Sequence, residues 1–303
     1  MTAQITAQRW IRWLSILVLV AIAACSSNGT SSPESPAVPD SVVSDIESTE
    51  PSIATVDQIV TLTSLTADIV RTLDAEALIG IPGSPILRQD DRFANLEVVS
   101  EGRTEPDLEK IVALQPDLVI GATGFHDKTL ERLTELKVET LAVDVTSWEA
   151  LKGLTTDLAQ RLGANPQPLL ERYDACLAQA PTTAPAALVL VSRQPLLSPN
   201  KESWAGDFLA QFNIQNLTAD LQGESPFDGY VTLSEEKVLT SDPEVLLVVE
   251  TGENLLEQLK QNTFWGQLTA TQTGAVYSFD YFGLINPGSI ASIEAACAKL
   301  SEL

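Results

Sequence analysis

The strongest constraint on the fold is a short pattern that occurs twice in the chain. Glu109 is followed by a lysine, two aliphatic residues and, seven positions on, by Pro116 and an apolar run. Glu236 stands in the same relation to Pro243. In each copy the glutamate suits the first turn of a short helix, and the proline ends that helix and directs the chain into a buried strand. The recurrence therefore predicts two lobes that are built alike.

A helical segment separates the two copies of the pattern. Pro166–Ala180 carries apolar side chains at helical spacing, and two prolines follow its end. A rigid helix between two similar halves is a connector between lobes. We therefore predict an N-terminal lobe at 53–165, a connecting helix at 166–181 and a C-terminal lobe at 182–303.

Short β-rich runs alternate with helical patterns in both halves of the folded part. This alternation is typical of an α/β protein with largely parallel sheets. The predicted strands are Gln58–Thr63, Leu78–Ile81, Asp117–Gly121, Thr140–Val143, Ala187–Ser192, Glu244–Val249 and Ala275–Phe279.

The two glutamates of the repeat have two interpretations. A single glutamate at a helix start is stabilised by the helix dipole and needs no other role. Two glutamates at equivalent positions of two lobes indicate in addition a paired docking surface for a partner protein. Because exposed ion pairs are individually weak, such a pair is expected to orient the partner more than to hold it.

The first 24 residues are predicted to be a leader and not part of the fold. Arg9 and Arg12 precede an apolar run that is short for a membrane-spanning helix, and small residues end it directly before Cys25. This arrangement resembles a lipoprotein signal with Cys25 as the lipidated residue; an uncleaved anchor is the alternative. Residues 25–52 are rich in Ser, Pro, Glu and Thr and are expected to form a disordered tether at the periplasmic or outer cell surface.

Charge and motifs exclude several functions. The chain has 18 Lys and Arg against 41 Asp and Glu, a formal net charge of −23, so nucleic acid is not an expected partner. No nucleophile elbow, P-loop, dinucleotide fingerprint or zinc-protease motif is present, so no catalytic residues are predicted. His126 is the only histidine, whereas a bare transition-metal site needs several ligands of this kind. A hydrogen-bonded or solvated His126 is the favoured interpretation.

Two cysteines remain once Cys25 is set aside. Cys176 and Cys297 each lie in a stretch with helical, apolar periodicity. In an oxidising compartment they can form a disulfide, or both can stay as buried free thiols. The sequence favours neither state.

The run from Asp107 to Ile120 resembles the hallmark of the class III periplasmic binding proteins of ABC importers. The resemblance extends over residues 53–303 and implies a monomer with two Rossmann-like lobes, joined by one helix around a ligand cleft. It also implies that Glu109 and Glu236 dock onto arginines of a permease that works with ATPase subunits. Glu235 is a substitute for Glu236 in this role.

Within that family, the stretch from Gly102 to Glu109 is most similar to the hydroxamate-siderophore branch. The implied ligand is a ferric siderophore chelate, and no resident metal or cofactor is expected. Cobalamin, haem or ferric citrate is the alternative ligand, and a non-transport sensor lipoprotein is the alternative role. The residues implied to line the cleft are Arg103, Phe125, Lys201, Tyr230, Tyr281 and Phe282.

Each of these residues also has a structural alternative. Arg103 can pair at the surface with Glu101 or Glu105, and Phe125 can belong to the core. The two tryptophans of the C-terminal half, Trp204 and Trp265, are predicted to be packing residues.

Overall fold

The computed structural model describes residues 56–101, 104–223, 225–251 and 254–303. The predicted leader, the tether, Cys25 and Arg103 lie outside these residues. None of the helices within the described ranges has the length and apolar character that crossing a bilayer requires.

The N-terminal half contains five strands and five α-helices. The strands are β1 (Ile59–Thr61), β2 (Leu78–Gly83), β3 (Glu97–Glu101), β4 (Leu118–Ala122) and β5 (Glu139–Val143). The helices are α1 (Ser64–Leu73), α2 (Pro85–Arg88), α3 (Leu108–Ala113), α4 (Asp127–Glu135) and α5 (Trp148–Leu162). The strands form one parallel sheet in the order β3-β2-β1-β4-β5. Its central strands read as continuous aliphatic runs because helices cover both faces.

The C-terminal half follows helix α6 (Gln167–Leu177) and has two sheets. Its strands are β6 (Ala186–Leu190), β7 (Ser192–Arg193), β8 (Leu196–Pro199), β9 (Gln215–Asn216), β10 (Tyr230–Leu233), β11 (Val245–Glu250) and β12 (Val276–Asp280). Its helices are α7 (Trp204–Gln211), α8 (Glu235–Ser241), α9 (Leu255–Leu259), α10 (Thr269–Thr273), α11 (Tyr281–Leu284) and α12 (Ile290–Leu300). One sheet is parallel, in the order β12-β11-β6-β9, and the other is antiparallel, in the order β10-β8-β7.

The two parallel sheets confirm the predicted α/β class, and each predicted strand overlaps an observed one. The order β2-β1-β4-β5 in the first sheet corresponds to β9-β6-β11-β12 in the second. The two halves also share a hydrogen bond accepted by the acidic residue that follows the repeated proline. Asp117, directly after the first proline, accepts hydrogen bonds from the backbone N–H groups of Asp57 and Gln58 at 3.1 and 3.0 Å. Glu244, directly after the second, accepts one from Ala186 at 2.9 Å.

The helix between the lobes is shorter than the sequence pattern predicts. It ends at Leu177 instead of Ala180, because the N–H groups of Gln179 and Ala180 turn back to the carbonyls of residues 176 and 177. These tight bonds close the last turn and leave an α-helix of 11 residues, about 16 Å long. The lobe boundaries at 165 and 182 remain a prediction.

Aromatic side chains from both halves meet beside this helix. The Trp148 ring lies 6.0 Å from Tyr173 of α6, 5.4 Å from Trp204 and 5.3 Å from Phe208 of α7, measured between centroids. All four residues are buried within one hydrophobic cluster. The core is therefore continuous between the halves, which opposes large relative movements of the lobes.

The C-terminal helix α12 is tied to the connecting helix at two points and to the N-terminal half at a third. Cys297 of α12 forms a disulfide with Cys176 of α6, with Cα atoms 5.6 Å apart, which decides between the two states that the sequence left open. Arg172 of α6 donates two hydrogen bonds to Glu294 of α12, at 2.8 and 2.9 Å. The buried carboxylate of Asp68 on α1 accepts the N–H of Ile290 at 2.7 Å.

Candidate ligand cleft and docking surface

Aromatic side chains gather on the loops of the C-terminal half. The rings of Tyr281 and Phe282, directly after β12, are 5.3 Å apart between centroids, and those of Phe227 and Tyr230 are 6.4 Å apart. Phe227 is 61% exposed and Tyr281 is 37% exposed, unusual values for large apolar rings. Burial, and beyond it the neighbouring Tyr281, raises the pKa of the Tyr230 phenol, so this hydroxyl stays protonated. Open α/β sheets bind ligands in the crevice at the carboxyl ends of their strands, which is where Tyr281 and Phe282 lie.

The turn that carries Tyr281 and Phe282 is fixed from beneath. The indole N–H of the buried Trp204 donates to the carbonyl of Gly283 at 2.8 Å. Gly283 has φ +101°, and a Cβ at this position would collide with the backbone carbonyl of Ser292. Only glycine fits this combination of backbone angle and close approach. Trp204 is thus a packing residue, as predicted, and it also positions the aromatic pair.

Among the described residues of the N-terminal half, Phe125 has the one exposed aromatic ring. Phe125, in the turn between β4 and α4, is 90% exposed, which excludes the core alternative. The carboxylate of Asp127 accepts the N–H of Gly124 at 2.9 Å, and Nδ1 of His126 accepts the N–H of Ala122 at 2.9 Å. Burial lowers the pKa of His126, although Asp127 opposes the shift. His126 therefore holds the turn through a hydrogen bond and keeps its proton on Nε2.

An ion pair lies at the carboxyl ends of β2 and β3. Nη2 of Arg88 lies 2.6 Å from Oε2 of Glu101, with both side chains largely exposed. Arg103 follows two positions after Glu101 and lies outside the described residues. Sequence reasoning did not select Arg88, although its place after β2 was a signal for a residue at the cleft edge. Glu101, one of the two surface partners considered for Arg103, is already engaged by Arg88.

A second ion pair involves the predicted cleft residue Lys201, which follows β8. Its ammonium lies 2.8 Å from Oδ1 of Asp220, and both side chains are exposed. The hydrogen bond raises the pKa of Lys201 and lowers that of Asp220, so both groups stay charged. The backbone N–H of Lys201 donates to Ala219 at 3.0 Å, which keeps the two loops together.

Helix α2 brings the N-terminal half close to the turn that carries Tyr281 and Phe282. A Cβ added at Gly288 would lie within 2.7 Å of Cδ1 of Ile86 and would also collide with the Phe282 ring. The two side chains from different halves thus converge on one glycine. Arg88 lies only two residues beyond Ile86, on the same short helix. The structure therefore brings Phe282 near the N-terminal half, whereas the ring of Phe125 makes no aromatic contact within the described part of the chain.

The two glutamates of the repeat occupy the same position in their helices. Glu109 and Glu236 are each the second residue of a short helix, capped by Asp107 and Ser234 respectively. Both are exposed, and neither carboxylate has a partner among the described residues. Glu235 differs, because its carboxylate accepts a hydrogen bond from Thr263 at 3.1 Å. Glu236 is therefore the freer of the two adjacent side chains.

A direct metal site is not formed by the described part of the chain. No group of three or more histidine, cysteine, aspartate or glutamate side chains converges there in a way that can hold an ion. The side chains that do converge are aromatic, with a few ion-paired charges at the edge. Such surfaces suit an organic molecule and not a naked cation.

Known proteins share both the sequence pattern and the fold. The chain is 28% identical over 209 residues to the vitamin B12-binding protein of Salmonella typhimurium, covering 65% of this chain and 74% of that protein. It is 27% identical over 187 residues to the Fe(3+) dicitrate-binding periplasmic protein of Escherichia coli, covering 59% and 60% of the two chains. A substrate-binding protein of an ABC transporter from Listeria monocytogenes has a similar fold, with a TM-score of 0.68 and 21% identity over 81% of this chain and 97% of that one.

The family model for periplasmic binding proteins matches residues 59–281, which include both parallel sheets. Proteins of this kind are non-enzymatic components of transport systems that bind small ligands. The chain is accordingly the substrate-binding component of an ABC importer and not an enzyme. By its sequence and its fold, this chain belongs to the periplasmic binding protein family.

Proposed function

We propose that this chain is anchored to the membrane through a lipid on Cys25 and captures a ferric siderophore of the hydroxamate type for delivery to its permease. The observation that carries the proposal is the set of exposed aromatic rings on loops at the strand ends of both halves. Aromatic faces pack on the organic shell of a chelate, whereas a bare ion needs converging ligands. A metal that arrives already chelated fits this arrangement.

Arg103 supports the hydroxamate assignment. The oxygens around chelated iron carry partial negative charge, and a guanidinium group supplies fixed planar donors to such oxygens. In the sequence, Arg103 follows the last residue of β3 by two positions. We assign Phe125, Lys201, Tyr230, Tyr281 and Phe282 to the remaining cleft wall.

Cobalamin is the second candidate ligand. The Salmonella relative with 28% identity is a vitamin B12-binding protein. A corrin ring is also broad and largely apolar at its faces, so it can stack on the same aromatic side chains. The two candidates differ in whether Arg103 is needed, since its role is to meet hydroxamate oxygens.

Delivery is assigned to Glu109 and Glu236. Their matched positions on α3 and α8, together with their free carboxylates, suit two arginines on a permease. The tether at 25–52 keeps the monomeric binding protein near that permease. Capture is expected to involve small lobe motion, because the continuous core and the hydrogen bond between Ile290 of α12 and Asp68 of α1 oppose hinge opening. Solution scattering with and without ligand tests this point, and a large compaction would contradict it.

The ligand assignment is tested by titrating the purified full-length chain and following its tryptophan fluorescence. Trp204 lies directly beneath the Tyr281 turn and is the expected reporter. Ferrichrome, a ferric catecholate, ferric citrate, haemin and cyanocobalamin are the probes. We expect tight quenching by ferrichrome, which is weakened by Arg103→Ala. Quenching by cyanocobalamin alone would replace the hydroxamate assignment, and quenching by none of the five would refute the proposed ligand class.

A further inference from the structure

Two described cations at the cleft edge, Arg88 and Lys201, are each paired with a carboxylate. Arg88 donates to Glu101 at 2.6 Å and also to the carbonyl of Gly83 at 3.3 Å, so its guanidinium already has two hydrogen-bond acceptors. Lys201 is held by Asp220 at 2.8 Å. The carboxylates are at least as exposed as their partners, with side-chain exposures of 72% for Glu101 and 86% for Asp220. An incoming ligand therefore meets the carboxylates together with the cations.

Further carboxylates lie on the loops that carry the aromatic rings. Asp280 directly precedes Tyr281, and Asp228 directly follows Phe227; both are exposed. Asp127 lies two residues after Phe125 and is exposed. Lys128, the next residue, carries a positive charge and is exposed as well. The aromatic rings thus have negative charges as their immediate neighbours in the chain. The site combines apolar faces with an acidic edge.

We propose that this cleft selects chelates that are uncharged or cationic overall and discriminates against polyanionic ones, with Glu101 and Asp220 as the specificity-determining residues. The inference rests on the proposed function, because it concerns the ligand of the same site. A ferric trihydroxamate without further charged groups is electroneutral, whereas ferric citrate and haemin carry net negative charge on carboxylates. An anionic ligand has to compete with Glu101 for Arg88 and with Asp220 for Lys201, and it is repelled by both carboxylates.

The test removes each carboxylate and compares an anionic with an uncharged probe. Glu101→Gln and Asp220→Asn free Arg88 and Lys201 while keeping side-chain size. Affinities of the full-length chain for ferric citrate and for ferrichrome are measured by calorimetry at low ionic strength and again in ~0.5 M salt. We expect each substitution to raise the ratio of ferric citrate to ferrichrome affinity about fivefold at low salt, and the high salt to remove most of that gain.

Asp174→Asn is the matched control. Asp174 pairs with Lys152 at 2.8 Å on the exposed surface of the α5–α6 connection, so its substitution changes net charge and frees a lysine in the same way. No change in the affinity ratio is expected there. An equal ratio in all three variants and the parent chain would overturn the inference.

The two proposals fail in different ways. If the parent chain binds ferric citrate or haemin more tightly than ferrichrome and cyanocobalamin, charge selection is wrong, while the binding role stands. If the parent chain binds none of these probes, the proposed function itself is refuted and the inference is refuted with it. Tight binding of the uncharged probes, with a gain for ferric citrate in Glu101→Gln and Asp220→Asn alone, supports both.

Discussion

Trp204 donates its indole N–H to the carbonyl oxygen of Gly283, and this bond joins the buried core to the turn of exposed aromatic residues. Trp204→Phe keeps an aromatic ring in the core but removes the donor, so the turn loses its fixed position. One neutral hydrogen bond is worth about 1 kcal/mol, and we expect ligand affinity to fall about fivefold. Calorimetry with ferrichrome measures this without relying on the lost fluorophore.

Trp265→Phe is the control for this prediction. Trp265 is half-buried and packs against the second core cluster, whereas Trp204 belongs to the first. Its substitution is expected to lower the melting temperature with little effect on affinity. If Trp204→Phe lowered stability but left ferrichrome affinity intact, the positioning role would be wrong.

The disulfide between Cys176 and Cys297 is expected to stabilise the whole fold. It closes a loop with a sequence separation of 121 residues, and the loss of such a constraint typically costs about 3 kcal/mol. Cys176→Ser with Cys297→Ser should therefore lower the free energy of unfolding by about that amount. Urea unfolding with and without reductant measures it. The parent chain should respond to reductant and the double variant should not; an identical response would contradict the bond's contribution.

His126 predicts a fall in stability at mildly acidic pH. Burial lowers its pKa below the ordinary value of 6.5, although Asp127 opposes the shift, so the folded state favours the neutral ring. The unfolded chain therefore takes up a proton more readily, and the free energy of unfolding decreases as pH falls from about 6.5 toward the lower folded pKa. Melting temperatures between pH 7.5 and pH 5.5 test the sign. His126→Asn places an amide oxygen near the position of Nδ1 and should flatten this part of the profile, whereas an unchanged slope would contradict the assignment.

Local patterns were sufficient for the parallel sheets but not for their edges. Aliphatic runs such as those at β4 and β11 predict strands that are buried on both faces. All seven predicted strands overlap observed ones. Strand β3 was not predicted, because only Val99 among its five residues is buried and an edge strand lacks a continuous apolar run. The antiparallel β7-β8-β10 sheet was missed for a similar reason, since its strands are only two to four residues long.

Polar contacts between residues far apart in the chain could not be predicted from the sequence either. Asp68 lies in the first half and accepts the N–H of Ile290, 222 positions later, and no local pattern marks such a pair. The ion pairs of Arg88 and Lys201 depend equally on loop conformation. By contrast, the matched positions of Glu109 and Glu236 were predictable, because a helix start and a following proline are both read from neighbouring residues.

The equivalence of Glu109 and Glu236 leads to the prediction that loss of both separates binding from delivery. Glu109→Ala with Glu236→Ala removes two exposed, unpaired carboxylates of the described structure without touching the aromatic loops. Each single substitution should reduce uptake in part, because the other contact still orients the complex. Glu235→Ala is the matched control, since that carboxylate is engaged by Thr263.

The most direct measurement is uptake of iron-55 ferrichrome by cells that carry the double variant, together with calorimetry of ferrichrome binding to the same purified chain. We expect uptake to be abolished while binding affinity stays within about twofold of the parent chain, a difference below 0.5 kcal/mol. The control Glu235→Ala should transport normally. Uptake at the parental rate by the double variant would contradict delivery through the two equivalent glutamates.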